Sequence, residues 1–502
     1  MKQPQNIIGI WIILFCASLL RYNSPSQVEE RLIVPDSVEY AVSAVNLARG
    51  EGYRVVLNGV SQPPRFPPGF PVLLAPFYYI FGDAPGNGIF CVLLFSVVSI
   101  GLFYFLAKGL FGEKTALWSA LFLAFSPLHL YWSRFIMADI PSFCIGLLAV
   151  LILFGGPLRR WRVFWIGSLL GIAVWVKFLN GLLAGSIILF FLFSKIPWRQ
   201  KGLRLFWFLL GLLLFLLPLF CYHKLTFGTF FKSGYTYWDP EFSLLKNTFS
   251  FSYALRAPLL AMAKQGFSSN LPALLQFFLG VFPLWHQNFY LFLIVPFCGI
   301  GIWKAPREFL HLAIWVCMSF SGFFSFYFYQ GTRYLLLPAS FILLLTAFGF
   351  HLFFERLPKA FQRGIWVVIT AFSLVALGVS WHSGGEYPRR DDAQFLREKT
   401  EHHAFILSSW DAVSFYEMIQ RGTERVYLPL SEEQEYVSRG IVDFIVADRD
   451  KERMRDIIQG HPTYIDSHSC REYPKSCAAL RKQFRFKKVG TSGGIDFYRL
   501  EH

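Results

Sequence analysis

The chain has 502 residues, of which 54% are apolar, 19% aromatic and only 16% charged, with a formal charge of +15. That composition, with uninterrupted runs such as LFWFLLGLLLFLLPLF, excludes a soluble globular protein and predicts a polytopic α-helical membrane protein. The charge excess also argues against a basic nucleic-acid arm: residues 1–381 hold 28 Lys/Arg against 12 Asp/Glu while 382–502 hold 19 against 20, so the surplus reads as membrane topology and anionic-lipid contact.

In chain order, apolar runs fall near 5–21, 86–107, 115–128, 140–156, 163–180, 181–194, 205–222, 288–303, 309–329, 334–353 and 365–381. With roughly 17 to 25 residues needed per crossing, they predict about eleven transmembrane helices. Lys108 and Lys114, Arg159/Arg160/Arg162, Lys195/Arg199/Lys201/Arg204, Lys304/Arg307 and Arg356/Lys359/Arg363 recur at every second connection, which marks those loops as cytoplasmic. The amino terminus is then inside, and 22–85, 129–139, 223–287, 330–333 and the carboxyl tail are outside. CASLLRYNS offers no convincing small-residue cleavage site, so the first run reads as a retained span.

Within residues 1–381, two outer segments are too long to be simple connectors. Residues 22–85 combine a helical stretch from Asp36 to Leu47, a glycine-flanked turn at ARGEGY, and PPRFPPGFP, whose prolines interrupt helix; short interfacial helices are expected here. Residues 223–287 are rich in Phe, Tyr and Trp, a composition suited to the headgroup layer and to covering a lipid substrate.

The tail, 382–502, is a different kind of sequence. HAFILSSW, ERVYLPL, IVDFIVADRD and GGIDFYRL read as strands, with DAVSFYEMIQ, SEEQEYVSRG, KERMRDIIQG and CAALRKQF as helices between them. This alternation predicts a small exported α/β domain with a partly parallel sheet. No glycine-rich dinucleotide turn follows any of its strands. Cys470 and Cys477, in HSCREYPKSC, sit where an oxidising environment permits a disulfide, whereas the other six cysteines lie in or beside apolar runs as small buried hydrophobes.

The acidic residues before the tail are few enough to weigh singly. Asp36 follows Pro35 at the start of a predicted helix, where it fits either an N-cap or a reactive carboxylate; Glu39 and Tyr40 lie one turn on. Asp139 in RFIMADIPSF is a cap, a partner of Arg134, or a site residue. Asp239 and Glu241 also fall outside. Lys177 in AVWVKFLNG and Arg333 in YQGTRYLLLP are cations bounded by apolar sequence, read either as snorkelling side chains or as a pair for a phosphate, Arg offering a planar fork and Lys a point charge. His129, His223 and His286 are on the outer side, each without a second ligand at metal spacing, and a divalent metal, for which Asp139 is the candidate ligand, stays open.

These pieces together resemble the GT-C superfamily of integral-membrane glycosyltransferases. The likeness is to the branch of dolichyl-phosphate-mannose protein mannosyltransferases, bacterial aminoarabinose lipid A transferase and the Rhizobium lipopolysaccharide core transferases. It is carried by DSVEYAVSAVNLARGEGY, PPGFPVLLAPFYYIFG, LFGEKTALWSALFLAFSP, RFIMADIPSF, VKFLNGLLA and TRYLLLP, in that order. The resemblance implies a GT-C fold and a donor in which a sugar is joined to polyprenyl monophosphate. It maps the family's first-loop acid onto Asp36, its second-loop acid onto Asp139, and its phosphate-binding cations onto Lys177 and Arg333. PDSVEY stands where many relatives have two adjacent acids, with Glu39 as the substitute. Asp36 is then the expected base, Glu39 and Asp139 further catalytic carboxylates, and Arg134 and Tyr40 residues that orient the acceptor, which is an envelope lipid, glycan or protein. The expected location is a bacterial inner membrane with a periplasmic tail.

Two other classes compete. A transporter or lipid flippase predicts paired repeats with interrupted helices in both halves, and no such internal symmetry is found. An O-antigen ligase or polymerase predicts a main outer loop late in the chain and no α/β tail, the opposite of this arrangement.

Overall fold

A computed structural model describes residues 5–22, 36–57, 60–238, 249, 287–327 and 332–365. In the tail it describes 405–408, 426–429, 463–467, 470, 477–478, 481–482, 485–492 and 495–501. In chain order the helices are α1 (Gln5–Arg21), α2 (Asp36–Ala48), α3 (Gly69–Phe81), α4 (Ile89–Phe111), α5 (Glu113–Ala124), α6 (Pro127–Trp132) and α7 (Asp139–Phe154). They continue as α8 (Arg160–Val176), α9 (Asn180–Leu192), α10 (Trp198–Phe227), α11 (Gly234–Trp238), α12 (Gln287–Lys304), α13 (Arg307–Phe326) and α14 (Leu336–Phe354). The strands are β1 (Val55–Leu57), β2 (Val60–Gln62), β3 (Phe405–Ser408), β4 (Val426–Pro429), β5 (Thr463–Asp466), β6 (Arg485–Ser492) and β7 (Ile495–Glu501).

Each expected span through 334–353 falls on helix, and the run 365–381 lies, after its first residue, outside the described residues. Two runs are subdivided. Residues 115–128 end as α5 at Ala124 and restart as α6 at Pro127, because Pro127 lacks the amide that would continue the ladder. Residues 163–180 stop at Val176, and Lys177, Phe178 and Leu179 separate this end from the start of α9. Among the described residues, Gly86–Phe111, Trp198–Phe227 and Arg333–Phe354 are each long and apolar enough to cross a bilayer, and Asp139–Phe154 and Asn180–Leu192 are shorter apolar helices.

The chain divides into two compact units. The first comprises Met1–Asn23, Phe66–Leu73 and Ile89–Ser383. Its helices approach closely where glycine leaves room. A Cβ on Gly167 of α8 would strike the Phe208 carbonyl of α10, and one on Gly211 of α10 would strike the Phe164 carbonyl of α8; Gly301 and Gly349 do the same for α12 and α14. Small residues at crossings are the expected solution in lipid, where apolar burial gives no preference for one helix over another and close van der Waals contact decides. The outward face of α10 shows Leu203, Phe206, Leu213, Leu214 and Leu217, all more than half exposed, which suits a lipid-facing surface. At helix ends, Lys108 pairs with Glu113 at 3.2 Å and Lys114 with Glu355 at 2.5 Å.

The second unit comprises Ser24–Arg65, Leu74–Gly88 and Gly384–His502. After α2 the chain turns at Gly50 and Gly52, both with positive φ, into the antiparallel hairpin β1–β2. Asn46 donates to the Arg54 carbonyl at 2.9 Å, and Asn87 donates to the carbonyls of Phe81 and Gly82, satisfying groups left open at the end of α3. The tail forms a five-stranded sheet in the order β4-β3-β5-β7-β6, parallel at β4-β3-β5 and antiparallel at β5-β7-β6. This is the partly parallel sheet expected, with two strands, β5 and β6, where none were expected. TYID is too short to signal itself, and RFKKVGTS is the basic edge strand, its lysines paired to Glu501 and Asp496 rather than displaying an apolar alternation. IVDFIVADRD and the first three expected tail helices lie outside the described residues.

Candidate active site

The first unit brings Asp139, Lys177 and Arg333 together. They line one small cleft of about 20 Å3 with Ser142, Asn180, Tyr334, Phe320 and Leu337. Each charged side chain arrives there for a local reason. Lys177 is the residue at which a helix stops: it caps α8 in an extended conformation, φ −157° and ψ 126°, before α9 restarts at Asn180. The Ala173 carbonyl accepts from the Lys177 amide at 2.9 Å and from the Asn180 side chain at 3.0 Å, and Asn180 also donates to the Ser142 hydroxyl of α7 at 2.7 Å. Asn180 thus ties the break to the neighbouring helix.

Asp139 is the first residue of α7, where a negative charge is favoured by the helix dipole. It is not a cap, because Ala138 holds that position and no side chain caps the helix. Nor is its ion pair with Arg134: Asp139 Oδ1 pairs with Lys177 Nζ, while Arg134 donates to the Leu20 carbonyl at 3.1 Å. The pair is well shielded, with 15% of the Lys177 side chain and 1% of the Asp139 side chain exposed, and Asp139 Oδ2 is buried with no hydrogen-bond partner among the described residues.

Arg333 lies in the single 3-10 turn Thr332–Leu335 that leads into α14. Its guanidinium sits 5.1 Å from the centre of the Tyr334 ring and 6.0 Å from that of Trp132, and donates to the Tyr334 hydroxyl at 3.2 Å. Lys177 Nζ lies 5.0 Å from the same Tyr334 ring, which in turn stacks on Phe324 at 4.5 Å with the planes 5° apart. Tyr334 is therefore an aromatic platform close to both like charges, attracting each. Tyr334, Trp132, Asn180 and Ser142 were not singled out in the sequence. The signals available were TRY and KFLNG, an aromatic or an amide beside the cation, each too common to stand alone.

Asp36, Glu39 and Tyr40 belong to the second unit. Asp36 opens α2 and is partly exposed, whereas Glu39 and Tyr40 are buried on the helix. The Glu39 carboxylate accepts from the Arg65 amide, which ties α2 to the chain leading out of the hairpin.

His129, considered above as a metal ligand, has another role. Arg21, at the end of α1 and fully buried, donates through Nη2 to His129 Nδ1 at 3.0 Å and to the Ala124 carbonyl at 2.8 Å, and through Nε to the Ser96 hydroxyl at 2.8 Å. Arginine is only a donor, so Nδ1 accepts and the ring proton on Nε2 goes to Ser99 Oγ, 2.9 Å away. Both ring nitrogens are engaged. His223 contacts the Phe230 carbonyl at 3.3 Å, and His286, Asp239 and Glu241 lie outside the described residues. Among the described residues no three His, Cys, Asp or Glu side chains are grouped to hold a metal, and the one charged partner shown for Asp139 is a lysine. In the tail, Cys470 and Cys477 form a disulfide, with their Cα atoms 5.2 Å apart.

The family model described as dolichyl-phosphate-mannose-protein mannosyltransferase matches residues 65–223. Among solved structures, ArnT from Cupriavidus metallidurans bound to undecaprenyl phosphate is similar with a TM-score of 0.64 at 14% identity, over 99% of this chain and 97% of that one. The Archaeoglobus fulgidus oligosaccharyltransferase AglB, in complex with an inhibitory peptide and a dolichol phosphate, gives 0.55 at 14% identity, over 98% and 74%. No curated protein matches the chain by sequence. The chain thus shares the fold of ArnT and AglB, and the mannosyltransferase family model matches it over residues 65–223.

Proposed function

We propose that this protein transfers a sugar from a polyprenyl-phosphate-linked donor to a hydroxyl of an envelope lipid, glycan or protein on the outer face of the membrane, with inversion at the anomeric carbon. The observation that carries this reading is the cleft in which Lys177 and Arg333 lie on one aromatic platform: two cations at the end of apolar helices suit a phosphate whose hydrocarbon tail stays in the bilayer. The likeness to ArnT and AglB, solved with undecaprenyl phosphate and a dolichol phosphate, supports the same ligand class.

In the mechanism the acceptor oxygen bonds to the anomeric carbon as the bond from that carbon to the phosphate oxygen breaks. The bonding pair stays on the phosphate, which gains a second negative charge, and the acceptor proton passes to Asp36 as general base. Lys177 and Arg333 hold the charge that develops, the type of preorganised stabilisation that contributes most in a water-poor site. Glu39, on the same helix as the base, serves as the second carboxylate, and Arg134 and Tyr40 orient the acceptor. The bundle lies in a bacterial inner membrane with the amino terminus inside and the tail in the periplasm.

The test is incubation of the purified protein with radiolabelled polyprenyl-phosphate sugars and envelope acceptors. Release of free polyprenyl phosphate, lost in Lys177→Met and Arg333→Met, is the expected result; translocation of intact donor without cleavage overturns the reading. Mass spectrometry of envelope glycans and glycoproteins with and without the protein identifies the acceptor.

A further inference from the structure

Two cations suffice to hold a phosphate, yet the cleft also contains a carboxylate that opposes it. The charged side chains lining it are Lys177, Arg333 and Asp139, and Asp139 is the more deeply buried partner of its ion pair. One of its oxygens engages Lys177; the other is enclosed and makes no hydrogen bond among the described residues. Burying a carboxylate with an unsatisfied oxygen is costly, and Asp139 is no helix cap that would account for it.

We propose that Asp139 sets the phosphate charge that the site retains, favouring the singly charged phosphodiester of the donor over the doubly charged monoester of the spent lipid. This rests on the transfer reaction given above. There the phosphate goes from one negative charge to two, since a phosphate monoester loses its second proton near pH 6. Lys177 and Arg333 attract both species, and the dianion more. Asp139, paired directly with Lys177, repels both, and the dianion more. A like charge a few ångströms away in a poorly hydrated cleft changes affinity by at least about tenfold. The carboxylate thereby offsets the tendency of a two-cation site to be trapped by its own product, and Asp139 acts through charge on the step that releases the lipid.

The experiment measures binding of two probes to the full-length protein in detergent at pH 8: a C55 polyprenyl phosphate and its monomethyl ester, which carries one charge and no sugar. In Asp139→Asn the ratio of monoester to methyl-ester affinity should rise at least about tenfold over the wild-type ratio, and Asp139→Glu, which keeps the charge, should retain the wild-type ratio. Asp139→Ser serves as a second neutral variant should Asp139→Asn not fold. A ratio unchanged in the neutral variants, with both lipids bound, overturns the role of Asp139 and leaves the donor class intact. Failure of both lipids to bind the folded wild type overturns both.

Discussion

Lys177 and Asp139 form the most consequential residue-level contact in the molecule, because each is costly to bury without the other. Lys177→Met should therefore lower stability by about 3–5 kcal/mol, the cost of a stranded buried charge, as well as abolish transfer. Lys177→Met combined with Asp139→Asn should recover the thermal transition in detergent and not the activity, a separation that a purely structural lysine would not produce. Arg333→Lys keeps the charge but loses the planar contact with the Trp132 and Tyr334 rings. Turnover should fall by roughly 100-fold, within the range for loss of one preorganised donor, with the protein still folded. Asp36→Asn should remove activity by at least about 100-fold, as expected for a general base, without shifting the melting temperature; an unimpaired Asp36→Asn enzyme would take Asp36 out of the mechanism. The cations and Asp139 were legible in the sequence because charges bounded by apolar residues stand out. Tyr334 and Asn180 were not, since their roles depend on a stacking partner and on a backbone break that only three dimensions supply.

The interrupted helix around Lys177 and the glycine-lined crossing of α8 with α10 decide how firmly the site is held. Asn180→Leu removes the donor to the Ala173 carbonyl and leaves the Ser142 hydroxyl without that contact. It should destabilise by about 1–3 kcal/mol, and the Michaelis constant for donor should rise as Lys177 loses its fixed direction. Gly211→Ile places side-chain atoms against the Phe164 carbonyl; helix separation should then cost several times more than the same change at Gly202, which has open space around it, read as the difference in melting temperature. Apolar run length predicted nearly all the described helices of the bundle. It did not predict the stop at Val176, because nothing in VWVKFLN is a strong breaker; the contacts found at the break, the Lys177–Asp139 ion pair and the Asn180 bond to Ser142, are tertiary.

For the molecule as a whole, the helices α1 to α14 lie in the apolar sequence up to residue 365, and the strands β3 to β7 lie in the charge-balanced sequence beyond residue 381. That contrast was legible because bilayer and water select opposite compositions; the strand order was not, because β5 and β6 are defined by pairing rather than by pattern. If the tail is exported as proposed, the Cys470–Cys477 disulfide should protect both thiols from alkylation in intact cells until a reductant is added. Immediate labelling of both without reductant would place the tail on the cytoplasmic side and reverse the assigned orientation.

Arg21 has a consequence for how the bundle is made. Besides the Ala17 carbonyl of its own helix at 3.2 Å, its guanidinium donates to groups 75 to 108 residues further along the chain, on α4, α5 and α6. A nascent chain must therefore be synthesised through His129 before the first helix can be locked, and until then its carboxyl end has every reason to stay in contact with water or lipid headgroups. The expected order is that α1 is fixed against its neighbours by Arg21 only once α4, α5 and α6 have been made.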